Sequence, residues 1–141
     1  MLYALEAFYN WLQDEEKEKF ASDIAESGLD DNFSKLMYMV SIQNYNDFSS
    51  KLIEFIEQIE SWNGHYSEVF YLAIKHKVDI SVVVNKIDLS DLRNNLQIVL
   101  NCHDDYAQIV LDYGIPESFT SSIKGFRFIT DMYELACYKN L

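Results

Sequence analysis

Apolar residues recur at the spacing of an amphipathic helix along most of this chain. The clearest example follows Asn46 and Asp47, and its apolar face consists of Phe48, Leu52, Phe55, Ile56 and Ile59. Glutamates step along the opposite side of the same segment. Gly64 is placed to end it, because glycine readily takes the left-handed conformation found after helices. The pattern predicts one helix with a broad buried face.

The same spacing predicts helices in the rest of the chain. At the N-terminus one face is made by Leu2, Leu5, Tyr9 and Leu12, and it is widened by Phe8 and Trp11. Asp14 either caps a second helix or lies within a first helix that runs straight through it. Further apolar sets at helical spacing lie in residues 33–40, 69–74, 92–100, 106–113 and 128–136.

Residues 80–84 allow two interpretations. The run Ile80-Ser81-Val82-Val83-Val84 is mostly β-branched, which favours a strand. The sequence offers no obvious second strand to pair with it. We therefore expect a short helix that begins after Asp79.

Two later helices have residues that suit their ends. Ser90 is the expected N-cap of one, with Leu89 placed for a hydrophobic staple. Asp104 or Asp105 is the expected N-cap of the other, which should end at Gly114 with Pro116 beyond it.

The turn residues and the length indicate the fold class. One proline and four glycines among 141 residues are few, which favours long helical segments over a turn-rich β fold. A chain of this length is typical of one domain, and 49% hydrophobic and 15% aromatic residues argue against disorder. We predict an all-α fold, a single domain over residues 1–141 forming an irregular bundle of about seven or eight short helices.

The cysteines and the N-terminus bear on localisation. Cys102 and Cys137 do not make a disulfide framework, and buried reduced thiols are the expectation. The segment from Met1 to Glu6 has no basic region of the kind that opens a signal peptide, and no apolar run approaches the length of a membrane span. We expect a cytoplasmic protein.

The formal charge of −12, from 23 acidic and 11 basic residues, restricts the partners. Such a chain repels phosphate backbones and anionic membranes, and it attracts basic proteins over a Debye length of roughly 10 Å. The basic residues are scattered, so no stripe of them could hold nucleic acid. The charge therefore predicts a basic protein partner, with neither nucleic acid nor a membrane as ligand.

Three acidic segments are candidates for the partner-binding surface. A row of glutamates three residues apart mildly repels itself on a helix, with only Lys51 near enough to offset it. The stretch from Asn94 to Ile123 contains no Lys or Arg and combines carboxylates with tyrosines, which suits a basic surface. The alternatives are a solvated face, capping residues and core tyrosines. The candidate residues are Asp14, Glu15 and Glu16; Glu54, Glu57 and Glu60; and Asp104, Asp105, Asp112, Tyr113 and Glu117.

Known catalytic motifs are absent from the sequence. No phosphate-binding glycine loop, nucleophile elbow or zinc-protease motif is found, and no histidine has an acidic residue three positions before it. Cys102-His103-Asp104 is the one local cluster of metal-ligand types, but adjacent helical residues point about 100° apart. We assign no catalytic, cofactor-binding or metal residue and expect a binding protein rather than an enzyme.

A family resemblance narrows the expected function. This small acidic helical chain, with segments such as Asn44-Tyr45-Asn46-Asp47-Phe48 and Asp104-Asp105-Tyr106, resembles the immunity proteins of bacterial contact-dependent inhibition and related polymorphic toxin systems. The resemblance lies in general character and includes no diagnostic motif. It implies a cytoplasmic protein that binds a cognate toxin domain, often a nuclease, and protects the cell that makes it. From the charge we expect such an inhibitor to occupy or cover the basic active-site cleft of the toxin with an acidic surface.

Two other functions remain open from the sequence. One is a helical interaction module, such as a viral Bcl-2-like decoy or an adaptor, that binds a partner helix in an apolar groove. The other is an enzyme whose site is assembled from residues far apart in the chain. An exposed apolar groove would favour the module, and cofactor or metal binding would favour the enzyme.

Overall fold

The computed structural model describes residues 2–26, 32–58 and 66–140, and these contain nine α-helices, one short 3-10 helix and no strand. The predicted all-α class is confirmed. The helices are α1 (Leu2–Trp11), α2 (Asp14–Glu26), α3 (Asn32–Ser41), α4 (Phe48–Gln58), α5 (Tyr66–Lys75), α6 (Ser81–Lys86), α7 (Leu89–Cys102), α8 (Tyr106–Tyr113) and α9 (Ile123–Asn140), with the 3-10 helix at Glu117–Phe119.

Contacts between helices cluster into two compact units, Met1–Ile59 and Glu60–Leu141. We call them the first and second unit. Helices α1 to α4 belong to the first unit, and α5 to α9 belong to the second. A single domain over residues 1–141 stays a prediction.

In the first unit, α3 packs against α1, α2 and α4. Helix α4 buries Phe48, Leu52, Phe55 and Ile56, as its apolar spacing predicts. Helix α4 packs against α3, in which Leu36 and Val40 are completely buried. The predicted fifth member of the α4 face, Ile59, and the predicted stop, Gly64, lie outside the described residues.

Helix α1 differs from its predicted face. Leu2 is buried, but Phe8 and Trp11 are 45% and 75% exposed, so they do not widen the buried face. Glu6 is buried in their place and accepts a hydrogen bond of 2.6 Å from the Tyr45 hydroxyl. A partner for the carboxylate makes this burial tolerable, because an unpaired buried carboxylate is very costly.

Helices α1 and α2 are separate, so the alternative of one continuous helix is wrong. The chain breaks at Leu12 and Gln13, and the backbone N–H of Gln13 donates to the Glu16 carboxylate at 3.0 Å. Glu16 thus reaches back over the first turn as in a capping box. Asp14 is the first residue of α2 rather than its cap.

In the second unit, α9 packs against α6, α7, α8 and the 3-10 helix, while α5 packs against α7 and α8. Phe119 and Phe128 stack with ring centroids 5.5 Å apart, and Phe70 meets Phe128 edge-on at 5.8 Å. A Cβ on Gly125 would clash with the carbonyl oxygen of Phe119. Glycine therefore permits the 3-10 helix to pass this closely over α9.

The predicted short helix after Asp79 is confirmed as α6. The Asp79 carboxylate accepts a hydrogen bond of 2.9 Å from the backbone N–H of Ser81, which favours a turn of helix over a strand. Val83 and Val84 are buried and Val82 is exposed. β-branched side chains thus serve as one buried helical face.

The predicted cap of α7 is corrected, and one of the two predicted caps of α8 is found at its expected position. Asp88, not Ser90, is the N-cap of α7 and accepts a hydrogen bond from the Ser90 N–H, while Leu89 is the first helical residue. Asp105 holds the N-cap position of α8 but makes no side-chain cap hydrogen bond. Gly114 ends α8 with a φ of 75°, as predicted.

The two cysteines are exposed, so the prediction of buried thiols is wrong. Cys102 is the last residue of α7, and Cys137 lies in the last turns of α9. Both thiols are free. None of the helices in the described ranges combines the length and the apolar character needed to cross a bilayer.

Candidate protein-binding surface

A shallow hollow of about 210 Å³ lies between α1 and α2 in the first unit. We call it the α1–α2 cleft. The apolar part of its lining comes from α1, from the break that follows α1 and from the middle of α2, and the polar part comes from α2 alone. The lining residues are Phe8, Leu12, Glu16, Lys19, Phe20 and Asp23.

Aromatic rings give the α1–α2 cleft its shape. Phe8 and Phe20 meet edge-on with centroids 5.2 Å apart, and Trp11 stacks beside Phe8 at 6.1 Å and an interplanar angle of 29°. The end of α1 is tied down by Asn10, which accepts a hydrogen bond of 2.6 Å from the Gln43 amide. The exposed rings of Phe8 and Trp11 are therefore held by packing and by this bond.

Carboxylates outnumber ammonium groups on α2 by six to two. All six acidic residues are exposed, and they include the predicted Asp14, Glu15 and Glu16. The Lys17 ammonium lies 3.8 Å from Asp14 and 5.3 Å from the centroid of the Tyr9 ring. The α1–α2 cleft therefore opens on a helix with a strongly negative surface.

The predicted glutamate row on α4 is only partly described. Glu54 is exposed and forms an ion pair of 2.9 Å with Lys51, which offsets the repulsion expected within the row. Glu57 is exposed as well. Glu60 lies outside the described residues.

The predicted acidic stretch of the second unit divides into exposed acids and buried tyrosines. Asp104 pairs with Lys139 at 3.4 Å, and Asp105 accepts a hydrogen bond of 3.3 Å from Tyr71. Asp112 accepts one of 2.8 Å from Gln108, and Glu117 begins the 3-10 helix. These four carboxylates stay accessible to a partner.

The two tyrosines of this stretch belong to the core. Tyr113 is 9% exposed and its hydroxyl donates to the Val78 carbonyl at 3.2 Å, so the structure corrects its predicted place on the surface. Tyr106 is 1% exposed and donates to the Met132 carbonyl at 3.2 Å. Burial raises the pKa of both phenols far above the ordinary value.

Both arginines of the chain meet at one buried carboxylate in the second unit. Asp131 of α9 accepts a hydrogen bond of 2.5 Å from Arg93 of α7, and Arg127 lies 3.8 Å from the same carboxylate. Arg93 also binds Glu134 at 3.2 Å. Arg93, Arg127 and Asp131 border a second hollow, of about 270 Å³, which is not acidic because its two arginines outnumber its one carboxylate.

The predicted cluster of metal-ligand types does not converge. His103 stacks on the Tyr71 ring with centroids 3.7 Å apart, and burial lowers the pKa of its imidazole. Within residues 2–26, 32–58 and 66–140, no three side chains among His, Cys, Asp and Glu are placed to hold a metal ion.

Glu16 was among the residues predicted to bind a partner, but the α1–α2 cleft that it borders was not predicted. The available signal was the spacing of Phe8, Leu12, Glu16 and Phe20, which would place all four on one stripe if the helix were continuous. The break at Gln13 turns that stripe into the two walls of a cleft.

No protein-family model, curated protein or solved structure matches this chain.

Proposed function

We propose that the protein is an inhibitor that binds a basic partner protein through an acidic surface. The partner we propose is a cognate toxin, a nuclease domain, in the cytoplasm of the cell that the inhibitor protects. An acidic surface suits a nuclease because its active-site cleft carries Lys and Arg to hold phosphates. Carboxylates can occupy that cleft in place of the substrate.

The observation that carries the proposal is the combination of exposed carboxylates and exposed rings on α1 and α2. Surface charges speed the encounter of two proteins, but they add little to the binding affinity when they stay solvated in the complex. Trp11 is 75% exposed and stacks beside Phe8, which lines the α1–α2 cleft together with Glu16 and Asp23. Tryptophan and tyrosine supply much of the binding energy in protein interfaces when they are buried against a partner. The exposed residues of α1 and α2 therefore offer carboxylates that attract a basic partner and aromatic rings that can be buried against it.

The charge distribution supports the same surface. Residues 1–59 hold 12 acidic and four basic residues, whereas residues 60–141 hold 11 and seven. The first unit thus carries about two thirds of the net negative charge on less than half of the chain.

A capture experiment followed by an enzyme assay tests the proposal. The tagged protein is incubated with lysate of its source cells at about 50 mM and about 500 mM salt, and retained proteins are identified by mass spectrometry. We expect a basic protein retained mainly at low salt. When purified, it should degrade nucleic acid and lose this activity on addition of one equivalent of the inhibitor. An acidic partner, or a nuclease that stays active in the complex, would contradict the proposal.

A second candidate function is a module that binds a partner helix. It is favoured by Ile123 and Phe126, which are 85% and 65% exposed and lie three residues apart on α9. Residues at that spacing face the same side of a helix. Partner binding that is indifferent to salt and lost in Phe126→Ala would favour this function over the inhibitor.

A further inference from the structure

The α1–α2 cleft combines two features that a cation on an aliphatic stem requires. Its floor is aromatic, with Phe8 and Phe20 in edge-on contact and Trp11 extending the surface. Its wall on the α2 side bears the carboxylates of Glu16 and Asp23. An aromatic face attracts a cation through its quadrupole, and a carboxylate pairs with it directly.

Two lysines of the chain already make these contacts on the same helix pair. The Lys17 ammonium lies over the Tyr9 ring, and the Lys19 ammonium pairs with Asp23 at 3.0 Å on the rim of the α1–α2 cleft. The Lys19 side chain is 80% exposed, so this pair is weakly held in water. A cation from a partner that also covers the rings can therefore displace it.

The size of the α1–α2 cleft suits a side chain better than a small-molecule ligand. Its volume is about 210 Å³, below the range of roughly 300–1,000 Å³ typical of ligand pockets. Its negative charge excludes anions. A single extended side chain that ends in a cation fits both properties.

We propose that the α1–α2 cleft accepts an arginine side chain of the basic partner, an inference that rests on the proposed function. The guanidinium is planar, so it can stack on Phe8 or Phe20 of the lining while two of its N–H groups face one carboxylate. An ammonium is a compact, strongly hydrated charge that gains less from an aromatic wall. The cleft therefore selects arginine over lysine.

A titration with two small peptides tests this selection directly. The probes are the acetylated amides of Ala-Arg-Ala and Ala-Lys-Ala, which carry the same single charge, added at constant ionic strength. The indole N–H signal of Trp11 is followed by NMR and identified by its absence in Trp11→Phe. We expect saturable shifts at Trp11, Phe8 and Phe20, with the arginine peptide binding about threefold more tightly than the lysine peptide.

Two matched double variants locate the site. Glu16→Gln with Asp23→Asn removes both carboxylates of the α1–α2 cleft and should weaken binding of the arginine peptide about fivefold. Glu15→Gln with Glu18→Gln removes two exposed carboxylates of the same helix that do not line the cleft, and it should change binding by less than about twofold. Circular dichroism and melting temperature check that both variants keep the wild-type fold.

Several results would overturn the inference. These are equal shifts from both peptides, equal losses in the two double variants, or tighter binding of the uncharged Ala-Leu-Ala amide. The proposed function is tested by different results. If the arginine peptide binds the cleft but no basic protein is captured, the proposed function fails and only the preference of the cleft for arginine is retained. If a basic nuclease is captured with equal affinity by both double variants, the inference fails and the function stands.

Discussion

The ion pair between Arg93 and Asp131 is expected to hold α7 against α9 in the second unit. Asp131 accepts the hydrogen bond while 7% exposed, and Arg93 is 37% exposed. Replacing Asp131 by Ala leaves the guanidinium with Glu134, a partner 45% exposed to solvent. The helices then lose the one carboxylate that Arg93 reaches below the surface.

The expected cost follows from this intermediate burial. Removing one member of a fully buried pair costs about 3–5 kcal/mol, whereas an exposed pair contributes about 0–1 kcal/mol. Because Arg93 can be rehydrated once Asp131 is gone, we expect Asp131→Ala to lower the free energy of unfolding by about 2–3 kcal/mol. For a chain of this length the melting temperature should fall by roughly 5–10 °C.

A double-mutant cycle with Arg93→Met isolates the pair. Unfolding in urea at pH 7 should give a coupling energy of at least about 1 kcal/mol between the two positions. Arg127→Met is the matched control, since its guanidinium lies 3.8 Å from the same carboxylate and is 64% exposed. Its cost should stay below about 0.5 kcal/mol. Additive effects of Asp131→Ala and Arg93→Met, within about 0.5 kcal/mol, would refute this reasoning.

The remaining predictions concern Tyr113 and Asp79. Tyr113→Ala should lower the free energy of unfolding by about 3–5 kcal/mol. Tyr113→Phe should lower it by about 1 kcal/mol, because the hydrogen bond to Val78 is lost. If thermal melts of the unbound protein are unchanged in both variants, the assignment of Tyr113 to the core is wrong. Burial acts to raise the pKa of Asp79, but hydrogen bonds from Ser81 and Ser118 outweigh it and lower that pKa below its ordinary value. A lowered folded-state pKa stabilises the protein above the unfolded value of about 3.9 and loses this effect as pH falls through the folded value. Asp79→Ala should therefore cost roughly 1 kcal/mol at pH 7 and progressively less below about pH 4 in urea titrations, whereas a cost that grows at low pH would contradict the assignment.

The helices were predictable because their signals are local. Helix α6 illustrates this: an aspartate that can bond the N–H two residues ahead outweighed the β-branched run that follows it. Helix α4 likewise buries the face that its spacing predicts, as far as it is described. The capping residue was less predictable, because Asp88 and Ser90 both suit an N-cap and a small shift in where the helix begins determines which of them is used.

The burial pattern was harder to predict because it depends on distant partners. Periodicity placed Phe8 and Trp11 inside, yet the carboxylate of Glu6 is buried instead, because Tyr45, 39 residues away, supplies its hydrogen bond. The pairing of Arg93 with Asp131 was not predicted for the same reason, because the two residues are 38 positions apart in the sequence. Charge alone could indicate an acidic surface, but it could not show which acids lie beside exposed rings.

We propose that this protein binds a basic partner through the acidic residues and exposed rings of α1 and α2. The most direct test of this proposal is the association rate of the purified pair, measured by stopped-flow fluorescence from about 50 mM to about 500 mM salt. We expect the rate to fall at least tenfold across this range, and to fall similarly at low salt when Glu15 and Glu16 are changed to Lys. An association rate that is independent of salt and unaffected by the charge reversal would contradict the account.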